Sequence, residues 1–166
     1  MMRTAEDAAM DGGTAWRRRN IGRRMNEAVR IFEARILELL REAGHGELSL
    51  AHVNLTRNLD LDGTRLSELA RRAAVTKQSM SELVDQVERN GLIERRADPT
   101  DGRARLVCFT AAGLQWLDVF RRCLEQAERE MRTELGDALV SLLIDALGRY
   151  VDAHAAGATA QGAPEK

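Results

Sequence analysis

From Leu66 to Phe109 the chain reads helix, short turn, helix, glycine, strand, tight turn, strand, and that order leaves few folds open. Leu66, Leu69, Ala70 and Ala73 place an apolar stripe on the first helix, with Ser67 near its start. A turn of three or four residues follows, and Thr76 stands where a helix N-cap belongs. In the second helix, "KQSMSELVDQVERN", Met80, Leu83, Val84 and Val87 recur with the helical period and predict a buried stripe. Gly91 then occupies the position where a helix C-terminus favours a left-handed residue. Two helices joined by so short a turn cross steeply, which is the helix-turn-helix arrangement.

Thr64 and Arg65 suit a short strand, and the segments "LIERR" and "RARLVCF" predict two more, joined by "ADPTDG", whose proline and glycine are turn chemistry. A hairpin directly after a helix-turn-helix makes a winged helix. The second helix offers Thr76, Lys77, Gln78, Ser79 and Ser81 at its opening turns, which are residue types suited to base edges and phosphates of double-stranded DNA. On the hairpin, Arg103 and Arg105 share one strand face, and Arg96 adds a third cation on the other arm. Arginine suits a narrow minor groove, where the negative potential is enhanced. Asp98 is expected to shape the tip as an Asx-turn. Asp101 is expected to hold the Arg103 side chain through a charge-assisted hydrogen bond, which lowers the cost of ordering it on DNA.

Around this unit lie helical patterns too long and too apolar for a small winged-helix core. One continuous helix is predicted from Trp16 to Ala43, with Gly44 and Gly46 ending it. A shorter one follows an N-cap at Ser49. Thr110 caps a long helix through Met131, a break falls near Leu135 and Gly136, and a last helix runs past Tyr150. The expected fold is mainly α: a winged helix-turn-helix with a small β-hairpin wing, plus long N- and C-terminal helices that build a homodimer. The organisation read from the sequence is a tail over residues 1–15, an N-terminal helix region over 16–48, the DNA-binding unit over 49–112, dimerisation helices over 113–154 and a tail over 155–166.

Composition bounds the function. The 166 residues carry a net charge of −1, so bulk charge does not advertise nucleic acid. From Arg65 to Arg105, however, nine basic residues stand against seven acidic ones. No apolar run is long enough for a membrane span, and the N-terminal stretch lacks the apolar block of a signal peptide, so a cytoplasmic location is expected. Cys108 and Cys123 are read as buried inert thiols, and His45, His52 and His154 form no metal-ligand spacing. No cofactor is implied. No nucleophile–base constellation or phosphate-cradling loop appears, so the chain is not expected to be an enzyme.

The stretch "RLSELARRAAVTKQSMSELVDQVERNGLIERRADPTDGRARLVCFTAAG", Arg65 to Gly113, strongly resembles the MarR (multiple-antibiotic-resistance regulator) family of transcription factors. Asp101 and Arg103 fall on that family's Asp-x-Arg motif in the wing. The resemblance implies a homodimeric DNA-binding regulator, a repressor released by a small phenolic or anionic effector, and the two-fold symmetry of such a dimer predicts a pseudo-palindromic operator. It implies Arg103 as the minor-groove arginine and Thr76 to Ser81 as the start of the recognition helix. It also implies an effector site among the first helix, the Ser49 helix and the start of the Thr110 helix, where Phe32, His52, Arg57 and Trp116 are candidate linings. One departure stands out: Glu82 occupies a mid-helix position where many relatives carry arginine. The competing reading is a winged-helix protein-interaction module with no operator of its own, which the mild net charge and Glu82 permit.

Overall fold

The computed structural model describes residues 15–160; residues 1–14 and 161–166, most of the two expected tails, lie outside them. The first surprise is at Asn20. In place of one helix from Trp16, there are two, α1 (Ala15–Arg19) and α2 (Ile21–Glu42). Asn20 sits between them in extended backbone, its Oδ1 accepting from the Arg23 amide at 2.9 Å and its Nδ2 donating to the Trp16 carbonyl at 2.9 Å. A short amide side chain that satisfies the backbone itself competes with helix continuation, and the apolar periodicity cannot reveal that.

The helix α3 (Leu50–Arg57) follows, then β1 (Thr64–Arg65), α4 (Leu66–Arg72), α5 (Lys77–Arg89), β2 (Ile93–Asp98) and β3 (Asp101–Phe109). The strands form one antiparallel sheet in the order β1, β3, β2. Val107 on the central strand lies between Thr64 and Arg95, so β1 and the base of the wing share one support. Last come α6 (Ala111–Leu135) and α7 (Asp137–Ala160), separated at Gly136, whose φ is +90°. The described residues divide into two compact units between Cys123 and Leu124.

In the first unit Ile36 and Leu40 of α2, Val53 and Leu55 of α3, Leu69 of α4, Met80, Val84 and Val87 of α5, and Ile93 and Val107 of the sheet are buried together in the core. Leu83, expected in that stripe, is half-buried. Both thiols are buried, and burial pushes the Cys123 thiol up from its ordinary value, which opposes the reactive thiolate. In the second unit Arg132 donates to Glu128 Oε1 at 2.6 Å and to Ser141 Oγ at 3.1 Å, bridging the break at Gly136. No helix among the described residues is long and apolar enough to cross a membrane.

Two backbone sites fix the geometry of the winged-helix unit. Between α4 and α5 the amide of Ala74 donates to Arg71 O at 3.2 Å and that of Val75 to Ala70 O at 3.0 Å, with Ala74 left-handed at φ +53°. That conformation normally goes to glycine, because a Cβ there crowds the following carbonyl. At the start of α6, Thr110 Oγ1 donates to Gly91 O at 2.6 Å and accepts from the Gly113 amide at 3.0 Å. The helix lies so close to the end of the previous one that a Cβ on Gly113 would stand 1.9 Å from the Leu92 carbonyl oxygen. Ala74→Gly is therefore expected to raise unfolding stability by up to about 1 kcal/mol. Gly113→Ala is expected to cost about 3 kcal/mol or more through displaced backbone, among the larger single-substitution effects. Urea unfolding of both variants checks these outcomes.

Candidate nucleic-acid interface

Thr76 caps α5 as its sequence predicts: Oγ1 accepts from the Ser79 amide at 3.1 Å and lies 2.8 Å from Ser79 Oγ. The cap leaves Thr76, Lys77, Gln78 and Ser79 exposed at the N-terminal end, with Ser81 half-buried. With Met80, Val84 and Val87 facing the core, Gln78 and Glu82 point the opposite way, and Gln78 Nε2 donates to Glu82 Oε1 at 3.3 Å.

The wing is tied to this helix by a residue that the sequence did not single out. Arg95 of β2 donates through Nη2 to Asp85 Oδ1 at 2.5 Å and through Nη1 to Glu88, both on α5, while its amide donates to Glu88 Oε1 at 3.0 Å. One planar guanidinium thus spans two successive turns of α5, which fixes direction as well as distance.

The tip is organised around Asp98, which is only 5% exposed. Its Oδ1 accepts from the Thr100 amide at 2.8 Å and the Thr100 hydroxyl at 2.7 Å, the Asx-turn expected from the sequence. Its Oδ2 accepts from Arg65 of β1, with Nε at 2.8 Å and Nη2 at 2.6 Å. Arg65 also lies 3.8 Å from Asp101 Oδ2. No sequence signal links residues so far apart in the chain, and Arg65 was missed for that reason. The expected role of Asp101 needs correction: it accepts from the Arg103 backbone amide at 3.2 Å, not from the guanidinium. It therefore orients the strand that carries Arg103 and leaves the side chain exposed. Arg105 is exposed two residues along, while Arg96, also exposed, is paired with Glu94 at 2.5 Å.

The four residues expected to line an effector site all lie in the first unit, on α2, α3 and α6. Trp116 is 2% exposed, stacks on Phe120 with centroids 5.4 Å apart, and buries an indole N–H that has no hydrogen-bond partner. Arg57 lies 5.8 Å from the Phe120 centroid and donates to Glu33 Oε1 of α2 at 3.1 Å. Phe32 is half-buried on the same helix. His52 is tied into the structure: the Ser49 amide donates to Nδ1 at 3.0 Å, so Nε2 carries the proton and donates to Gln86 Oε1 of α5 at 3.1 Å. Among the described residues no His, Cys, Asp and Glu cluster could hold a metal ion.

The wing anchor should be visible in acid. Hydrogen bonds from the Thr100 hydroxyl and amide, then from Arg65, hold the Asp98 carboxyl at about 2, below its ordinary 3.8. A depressed carboxylate contributes stability that is complete above its unfolded value and is lost as pH falls through the folded one. Asp98→Asn should therefore be less stable than the parent at neutral pH, with the gap closing between about pH 4 and pH 2. Glu68, also held at about 2, titrates in the same window in both proteins, so only their difference reports Asp98. Urea unfolding across that range measures the gap; a gap independent of pH would contradict the anchor.

The MarR family model matches residues 55–104, from the end of α3 to β3. Among curated proteins none matches the sequence significantly. Solved structures do match. Wild-type MarR of E. coli in its apo form superposes with a TM-score of 0.63 at 18% identity, covering 79% of this chain and 96% of that one. CouR of Rhodococcus jostii RHA1 bound to p-coumaroyl-CoA gives 0.64 at 21% identity, covering 78% and 90%. The S. aureus MepR–DNA complex gives 0.62 at 16%, covering 81% and 98%. The chain has the winged-helix fold of MarR-family transcriptional regulators, and its segment 55–104 carries that family's sequence pattern.

Proposed function

We propose that the chain is a homodimeric, sequence-specific DNA-binding repressor whose grip on its operator is loosened by a small ligand. The observation that carries this reading is the Arg95 fork between Asp85 and Glu88, which holds an exposed polar helix face and an arginine-tipped hairpin as one body. Helix α5 enters the major groove with Thr76, Lys77, Gln78, Ser79 and Ser81 at its leading end. Arg103 enters the flanking minor groove, with Arg105 and Arg96 on the adjoining backbone. Asp101 contributes by fixing the Arg103 amide. The MarR-like fold and a relative solved on DNA support the same reading.

The dimer rests on apolar faces left open to solvent. Ile21, Val29 and Ile31 are exposed on α2, and Leu139, Leu142, Ile144 and Val151 on α7. Apolar helix faces of this extent mark protein interfaces, and a second copy of the chain covers them. Two recognition helices related by a two-fold axis read half-sites about 10 bp apart.

We place the ligand site among α2, α3 and α6, with Phe32, His52, Arg57 and Trp116 as its candidate linings. The orphaned Trp116 N–H offers a donor, and Arg57 beside Phe120 suits an aromatic anion or phenol. Helix α3 carries both Arg57 and His52, and His52 is bonded to Gln86 of α5, so a ligand that draws α3 toward one arrangement biases the recognition helix.

Arg103→Ala is expected to weaken DNA binding about 10- to 100-fold while the dimer stays folded. Gel shift on the DNA flanking its own gene, with sedimentation as the control for assembly, checks this. Binding of the parent should also fall steeply as salt rises from 50 to 200 mM. Unchanged affinity on loss of Arg103 would remove the wing from the mechanism, and no retention on any duplex would leave the interaction-module reading.

A further inference from the structure

The centre of the outward face of α5 belongs to Gln78 and Glu82. They lie opposite the buried Met80, Val84 and Val87, and one turn apart, so any groove that receives this helix meets both. Among their polar neighbours, Asp85 is held by Arg95, Gln86 by His52, and Ser79 by the Thr76 cap. A carboxylate has only acceptors, so the contact at 3.3 Å requires the Gln78 amide to donate to Glu82 Oε1. That bond limits the rotamers of Glu82 and leaves Oε2 as a second acceptor on an exposed side chain.

We infer that Glu82 sets the base preference of the recognition helix, selecting a cytosine in each half-site, and that Gln78 is the positioning residue for its carboxylate. The inference rests on the DNA-binding reading and deepens it. Only cytosine N4 and adenine N6 offer donors on the major-groove edge of a base. Beside the adenine amino group stands N7, whose lone pair repels a carboxylate; beside the cytosine amino group stands a C–H. Guanine and thymine present O6 and O4 and are rejected outright. A carboxylate at the middle of the helix also repels phosphate, so it weakens binding to every sequence that does not repay it with a cytosine. Glu82 thus acts by penalising wrong sites as much as by rewarding the right one.

The test is selection of bound sequences from a random duplex pool by the full chain and by Glu82→Gln, Glu82→Ala and Gln78→Ala, with circular dichroism confirming that each is folded. The parent should enrich cytosine at one position per half-site about 5- to 100-fold over the other bases. Glu82→Gln should move that position toward adenine, which a side-chain amide pairs bidentately, with the remaining positions unchanged. Glu82→Ala should lose preference there while binding unselected DNA more tightly, and Gln78→Ala should narrow the discrimination without changing the base. Identical preferences in the parent and both Glu82 variants would overturn the inference and leave the DNA reading intact. Folded parent protein that enriches no sequence would overturn both, and would turn the acidic face of α5 toward a basic protein surface.

Discussion

A helix and a hairpin that are to fill two grooves of one duplex must be held at a fixed angle, and the guanidinium of Arg95 is the tie that joins them directly. Arg95 leaves β2 and closes on Asp85 and Glu88 of α5. The pairing is partly buried, with the Arg95 side chain 29% exposed, so it is less screened than an ordinary surface ion pair. Its planar fork also resists twisting in a way that a lysine would not. Everything proposed for the interface depends on that angle, since Arg103 is useful only if it arrives at the minor groove when α5 sits in the major one.

A second tie acts at the far end of the hairpin. Arg65 comes from β1, beside the start of α4, and reaches Asp98 at the tip. Asp98 divides its oxygens between the turn it shapes and the strand it anchors, and this explains why a carboxylate is buried in an exposed loop. Helix-turn-helix and wing are therefore joined at both ends of β2, by Arg95 at the base and Arg65 at the tip. The arginines proposed to face DNA, Arg103 and Arg105, are left out of these pairings, while Arg65 and Arg95, which build the frame, are satisfied within the protein. The acids of the segment follow the same division, except Glu82, which faces outward.

Much of this was legible in the sequence because it is local. Thr76, Gly91 and Thr110 mark helix ends through bonds spanning a few residues, and "ADPTDG" announces its turn. The arginines of the wing were identifiable from strand alternation. What escaped was either competition within a periodic pattern or pairing across the fold. Asn20 breaks a helix whose apolar spacing runs on undisturbed. Ala74 takes a left-handed turn that would advertise itself only as glycine. Arg65 and Arg95 find their partners through β1 beside β3 and through β2 against α5, and no spacing rule reaches that far. Asp101 was placed beside the right residue, yet it holds the backbone of Arg103 rather than its side chain. The candidate effector residues were gathered on three elements of one unit, but the orphaned Trp116 N–H could be recognised only once its burial was known.

On the proposed reading, α5 and the wing form one rigid body before DNA arrives. Residual dipolar couplings of backbone amides in the free protein test it most directly. Amides of α5 and of β2 and β3, Arg103 included, are expected to fit a single alignment tensor. Separate tensors, or couplings in the wing averaged well below those of α5, would contradict it.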